Sequence, residues 1–189
     1  TLTLTDLPDD VAVPSAITRG LVVQTPSSVH SSLIEAGHLR DIAIDAQESE
    51  GSWISQASWR YSTHIDPPEH KYQRAVLEFG GIDTISTITI NGEIRLNTWN
   101  MFRTHALDIT DDLAAGSVEV SVDIQPALPV AQESDRINPL PHGPLPPFNQ
   151  VRKMACSFGW DWGPTTLTAG LWKPVSLHTW STARLSDVK

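Results

Sequence analysis

Four stretches that read as strands, the cleanest of them in strict two-residue alternation, set the limits on what this chain can fold into. In the cleanest, Val118, Val120, Val122 and Ile124 alternate with Ser117, Glu119, Ser121 and Asp123. Side chains on a strand point to opposite faces in turn, so this pattern predicts a strand with one apolar face and one polar face. Trp59, Tyr61 and Thr63 alternate in the same way with Arg60, Ser62 and His64. Ala75, Leu77 and Phe79 give another strand, ended by Gly80-Gly81. Thr84 to Ile90 is β-branched almost throughout and runs into Asn91-Gly92, a hairpin signal. For that hairpin a three-residue loop, Asn91-Gly92-Glu93, is predicted, because it pairs Ile90 with Ile94 and Ile88 with Leu96 on one apolar face.

The remaining segments read as connections and edges. Residues 1–16 are polar, with Pro8 and Pro14, and read as an irregular or edge-strand lead-in. Ile17 to Val23 reads as a first strand. Val29 to Ala36 is the one convincing helix, with Ser27 or Ser28 as its cap and Gly37 as its left-handed stop. Residues 38–57 read as a long loop, and Thr110 to Leu113 as a short turn after a strand ending at Leu107 and Ile109. The seven prolines between residues 126 and 148 predict a second long loop. Asn149 is placed as the cap of a helical turn, Gln150 to Ala155. Leu171 to Trp180 is the last strand, and Pro174 gives it an edge position or a bulge. The expectation is an all-β fold: a β-sandwich with jelly-roll connections, one short helix and long loops, over residues 17–182, with 183–189 as a tail or linker. A closed barrel is the alternative.

Charge and cysteine content exclude several functions. The formal net charge is −9, from 22 acidic and 13 basic residues, and Arg152-Lys153 is the nearest approach to a basic cluster. A nucleic-acid partner is therefore not expected. No apolar run approaches the roughly 20 residues that cross a bilayer, so no membrane partner is expected either. One cysteine, Cys156, allows no internal disulfide and is read as a small buried hydrophobe. Lack of disulfides favours a reducing, cytoplasmic setting. The seven His are scattered at spacings unlike a metal site, and neither a phosphate loop nor a Gly-x-Ser-x-Gly turn is present. No metal and no cofactor are expected.

The carboxylates are mostly ordinary: Asp6, Asp9, Asp10, Asp41, Asp45, Glu48, Glu50, Asp111 and Asp112 lie in polar loops, and Glu78, Glu119 and Asp123 on outward strand positions. Asp161 differs. It sits between Trp160 and Trp162, inside Gly159 and Gly163-Pro164, so its backbone is a shaped turn rather than a strand centre. A carboxylate between two indoles loses hydration and needs donors. Sugar hydroxyls held against an indole face would supply them; equally, Asp161 could brace a loop whose two Trp pack inward. Seven Trp against two Tyr and four Phe fit either reading, sugar platforms or core filling.

Taken in order, several segments resemble one family. Ser157-Phe158-Gly159-Trp160-Asp161-Trp162-Gly163-Pro164, then Thr168-Ala169-Gly170-Leu171-Trp172-Lys173-Pro174-Val175, is similar to the signature ending the first domain of family 2 glycoside hydrolases of the β-mannosidase type. Val151-Arg152-Lys153 resembles its lead-in, and Pro26-Ser27-Ser28-Val29-His30 its Pro-x-x-Val-His helix. Trp59-Arg60-Tyr61, Leu77 to Thr84, and Asn91-Gly92 with Asn100-Met101-Phe102-Arg103 resemble further segments. The resemblance spans roughly residues 20–178. It implies a galactose-binding-like jelly roll beside a (β/α)8 barrel that carries the general acid and the nucleophile, so that this chain alone is inactive. It also implies a β-mannoside substrate, with Trp160 and Asp161 reaching the sugar in the −1 subsite and Trp162 placed with them as a substrate-binding residue, by contact or by supporting the turn. A sibling family 2 exo-glycosidase, an autonomous carbohydrate-binding module and a purely structural domain are the alternative readings. Two departures stand out: Thr165 where the family often has Arg, and an altered stretch from Leu39 to Ser52.

Overall fold

The computed structural model describes residues 1–6, 13, 15–44 and 48–185. Pro8, Pro14, Asp9, Asp10, Asp45 and the end of the tail, 186–189, lie outside the described residues. The strands are β1 (Leu2–Asp6), β2 (Ser27–Ser28), β3 (Ser58–Ile65), β4 (Arg74–Phe79), β5 (Ile85–Ile90), β6 (Glu93–Thr98), β7 (His105–Asp108), β8 (Val118–Gln125), β9 (Gly170–Leu171) and β10 (Val175–Trp180). They form a five-stranded sheet in the order β1-β3-β8-β5-β6, a three-stranded sheet β10-β4-β7 and a two-stranded pair β2-β9. Every pairing is antiparallel.

The alternation in the sequence is the physical cause of the sandwich. Tyr61 and Val122 face each other across β3 and β8, as do Ile88 and Val122 across β5 and β8. The opposite sheet contributes Ala75, Leu77 and Phe79, and all of these belong to one apolar core. Trp59 is its largest wholly buried side chain and stacks, tilted, on Trp53 at 5.7 Å. The outward residues pair where they can: Arg60 donates to Asp123 at 2.7 Å. Of the seven tryptophans, Trp59 is fully buried, while Trp99, Trp160 and Trp162 are mostly exposed.

Several connections differ from expectation. The run Ile17 to Val23 is not a strand. Ser15–Arg19 forms a short helix, α1, in which the Thr18 hydroxyl donates to the Ser15 carbonyl at 3.0 Å. Gly20, at φ +100°, then ends it, and only Leu21 pairs, with Leu2. The helix α2 (Val29–Glu35) is capped by Ser28 through a reciprocal capping box with Ser31. Residues 38–57 are not structureless, since Glu48–Gln56 winds into a 3₁₀ segment. Thr110–Ala115 is a short helix, α3.

The largest correction is α4, Ala127–Ile137, an eleven-residue helix inside the proline-rich stretch read as a loop. Pro129 lies in its first turn, where a backbone N–H has no intrahelical acceptor to lose, so the proline is tolerated. Helix formers fill the body, and Pro139 follows the end. The fold is thus all-β with four helices among the described residues rather than one. Asn149 caps nothing; its amide donates to the Pro141 carbonyl at 2.8 Å, and 3₁₀ turns occupy Phe148–Gln150 and Ala155–Phe158. Pro174 separates β9 from β10, so the final run is two strands.

The hairpin register is also revised. Asn91 and Gly92 take φ of +50° and +81°, the geometry of a two-residue turn, and Ile90 pairs with Glu93. Thr89 then pairs with Ile94 and Ile88 with Leu96, so Arg95 is an extra residue in β6. The bulge recovers the Ile88–Leu96 pair but leaves Ile94 exposed. It also frees Arg95 to reach Asp112 at 2.5 Å. Because Trp59 is fully buried where both sheets meet, Trp59→Ala is expected to destabilise the chain by about 3–5 kcal/mol in a denaturant titration.

Candidate functional site

Trp160, Asp161 and Trp162 occupy the tip of a tight turn between the 3₁₀ turn Ala155–Phe158 and β9. The Trp160 amide donates to the Gly163 carbonyl at 3.3 Å, and the Gly163 amide returns the bond at 3.4 Å. Below that rung, the Leu167 amide donates to the Ser157 carbonyl at 3.0 Å. Gly159 enters the turn at φ +92°, and a β-carbon there would collide with the Thr165 side chain. Gly159 is thus required both for its backbone angle and for its lack of a side chain, whereas a β-carbon at Gly163 would meet open space.

All three side chains project outward. Trp160 is 56% exposed and Trp162 81%. Asp161 is exposed and has no hydrogen-bond or ion-pair partner among the described residues. This differs from a carboxylate desolvated between two packed indoles, and from a Trp162 that supports the turn. A four-residue turn closed by its own backbone leaves no room for side chains inside, so they point to solvent.

The turn rests on its own apolar base. Phe158 and Leu167, on its two sides, are buried with Ala131 of α4, and Leu128, Phe148 and Val151 pack around them. Cys156, expected to be buried here, is exposed, because Ser157 and Phe158 take the inward positions of the short 3₁₀ turn.

Deeper still lies a polar anchor. The Lys153 ammonium donates to Asp83 Oδ2 at 2.5 Å and to the Thr168 carbonyl at 2.7 Å. Its side chain is 0% exposed, and that of Asp83 is 2% exposed. Asp83 also accepts from the Thr84 hydroxyl, and its backbone exchanges two hydrogen bonds with Gly170. His30, from α2, bonds the Thr168 hydroxyl at 2.9 Å. Lys153 and Thr168 therefore close the loop that carries the turn, and Asp83 and His30 fix that closure to the sandwich. Burial lowers the Lys153 pKa, and the Asp83 charge opposes that shift. His30 is pushed down to about 4, chiefly by burial and secondarily by the Lys153 charge. Sequence reasoning misses this anchor: it shows Lys153 as half of a short basic pair and Asp83 only as part of a matching segment. The available signal is a lone Asp between the apolar Ile82 and the β-branched run of β5.

The arrangement defines a class: a galactose-binding-like β-sandwich with an exposed aromatic-carboxylate turn. Residues 12–173 match the family described as glycosyl hydrolase 2 galactose-binding domain-like, and the chain belongs to that family. It is 35% identical over 173 residues to β-mannosidase B of Aspergillus terreus, covering 88% of this chain and 20% of that protein. Against β-mannosidase B of Thermothelomyces thermophilus it is 34% identical over 190 residues, covering 97% of this chain and 21% of that protein. The crystal structure of the β-D-mannosidase from Dictyoglomus thermophilum superposes with a TM-score of 0.80 at 36% identity, over 87% of this chain and 21% of that one. An exo-chitosanase from Amycolatopsis orientalis shares the fold at 18% identity and a TM-score of 0.56, over 83% of this chain and 16% of that one. The chain spans about a fifth of the length of the curated relatives it matches.

The anchor can be tested through stability. Lys153→Met strands a buried carboxylate and is expected to cost about 3–5 kcal/mol, whereas adding Asp83→Leu to it recovers much of the loss; equilibrium unfolding of the single and double variants checks this. His30 is neutral in the fold and takes a proton more readily when unfolded. Its contribution to stability is therefore present above about pH 6.5 and declines as the pH falls towards 4, by up to about 3 kcal/mol. Unfolding measured across that window should show a shallower decline for His30→Asn, which keeps a polar partner for Thr168.

Proposed function

We propose that this chain is the accessory domain of a retaining exo-β-mannosidase, and that it supplies Trp160 and Asp161 to the −1 mannose subsite. The observation that carries the reading is the exposed, backbone-closed Trp160–Gly163 turn, with an indole face and an unpaired carboxylate side by side among the described residues. A pyranose lays its C–H face on an indole, and a carboxylate accepts from a pair of neighbouring hydroxyls. The partner in this reading is a (β/α)8 barrel of the same polypeptide, which holds the general acid and the nucleophile. Trp160 and Asp161 then act by orienting the sugar ring, without proton transfer or covalent chemistry, and orientation alone can account for a large share of a rate. The β-mannosidase relatives and the β-D-mannosidase structure support mannose as the sugar.

Asp161→Ala in the full-length polypeptide is expected to lower kcat/KM for an aryl β-mannoside by one to three decades, roughly 1.4–4 kcal/mol. A change below about twofold removes Asp161 from the subsite. Calorimetry of the isolated chain with mannose and β-manno-oligosaccharides separates the alternative, since tight binding there would make the domain an autonomous carbohydrate-binding module.

A further inference from the structure

The turn that carries Trp160 and Asp161 is closed by its own backbone, yet closure alone does not aim it. From Gly159 to Thr166 no side chain is buried, and Trp160, Asp161, Trp162, Pro164 and Thr165 are all exposed. Neither Pro164 nor Thr166 takes part in a hydrogen bond among the described residues. Phe158 and Leu167 bury the two roots of the turn, which fixes where it starts and ends but not how its tip leans.

A hydrogen bond reaches the turn from elsewhere. The Thr165 amide donates to Glu48 Oε1 at 2.8 Å, across 117 residues of sequence. Among the described residues it is the single hydrogen bond that ties the segment 159–166 to any part of the chain outside residues 153–168. Glu48 opens the 3₁₀ segment Glu48–Gln56, and that segment is itself held down. Its Ile54 is buried in the main core, the Trp59 indole donates to the Ile54 carbonyl at 3.4 Å, and Trp53 stacks on Trp59. Ser52 and Ser55 donate their hydroxyls to the carbonyls of Ser49 and Ser52, which stiffens the segment from within. The brace therefore runs from the sandwich core through a tied 3₁₀ segment to a carboxylate and then to the back of the turn. A bond between a charged acceptor and a backbone N–H is among the stronger hydrogen bonds and is directional.

We infer that Glu48 is a positioning residue for the sugar contact: its carboxylate, by holding the Thr165 amide, sets the angle at which Trp160 and Asp161 meet the ligand. The inference rests on the reading of the turn proposed above. Glu48 acts through the turn, without touching the sugar. It is exposed, so its removal leaves the fold intact while the tip of the turn samples more orientations. The carboxamide of Gln retains an acceptor oxygen at the same reach, so Glu48→Gln keeps the bond that Glu48→Ala abolishes.

The test uses the full-length polypeptide with an aryl β-mannoside as substrate. Glu48→Ala is expected to lower kcat/KM about three- to tenfold with an unchanged Tm, and Glu48→Gln to stay within about twofold of the parent. In the Asp161→Ala background, Glu48→Ala should add less than about twofold, because a brace then has little left to aim. Hydrogen–deuterium exchange should show faster exchange in the peptide covering residues 159–166 for Glu48→Ala, and not for Glu48→Gln. The inference is overturned if Glu48→Ala leaves kcat/KM within about 1.5-fold, if Glu48→Gln is as damaging as Glu48→Ala, or if the two losses multiply fully in the double variant. Loss on Asp161→Ala without loss on Glu48→Ala overturns the brace alone. No loss on Asp161→Ala overturns the reading of the turn beneath it.

Discussion

A lysine with no exposed side-chain surface holds together the end of this domain that carries the Trp160–Gly163 turn. Lys153 commits its ammonium to Asp83, at the entrance to β5, and to the carbonyl of Thr168, fifteen residues further along its own loop. Both charges are out of water, where an ion would lose far more hydration energy than one ion pair returns unless further hydrogen bonds complete it. Those bonds are present: the Thr84 hydroxyl on Asp83, the Thr168 carbonyl on Lys153, and the doubled backbone link between Asp83 and Gly170. Such a site adds little to stability over an apolar filling, yet it fixes a geometry. The path of residues 151–171 that satisfies it carries Trp160 to Gly163 clear of the sandwich.

The sandwich is legible in the sequence because its signal is local. Alternation in β3, β4, β5 and β8 needs no knowledge of the partner strand, and Ser28 with Gly37 announces the ends of α2. What escapes is what depends on remote partners or on position within an element. Seven prolines hide α4, since a proline count does not register that Pro129 falls in a first turn, where it does no harm. The hairpin reading maximises apolar pairs and so chooses a three-residue loop. The chain instead follows the left-handed preference of Asn91-Gly92 and repairs the pairing with a bulge at Arg95. At the site, the residues of the turn are visible in the sequence from their flanking glycines. Their surroundings are not: Lys153, Asp83 and His30 come from three separate segments, and nothing in any one of them declares the others. Glu48 reads as one more surface carboxylate, which by exposure it is.

The two places where the chain departs from the pattern it otherwise resembles meet in space. Thr165 follows the turn, and Glu48 lies in the altered 39–52 stretch; they share a hydrogen bond. The donor is the backbone amide of Thr165, so the contact depends on the Glu48 carboxylate and on the path of the turn, and not on which side chain stands at 165. The sandwich core, in contrast, is built from residues whose only requirement is apolar bulk on the inward face.

The described residues form two apolar clusters rather than one. The larger joins the two sheets, and the smaller, Ala131 with Phe158 and Leu167, lies under the turn and depends on α4. A cluster of that size is the weaker of the two, and cooperative units of unequal stability open separately. On warming, the platform beneath the tryptophans would therefore melt while the sheets persist. A preparation could lose the set of its Trp160–Gly163 turn and still give the circular dichroism of a folded β protein.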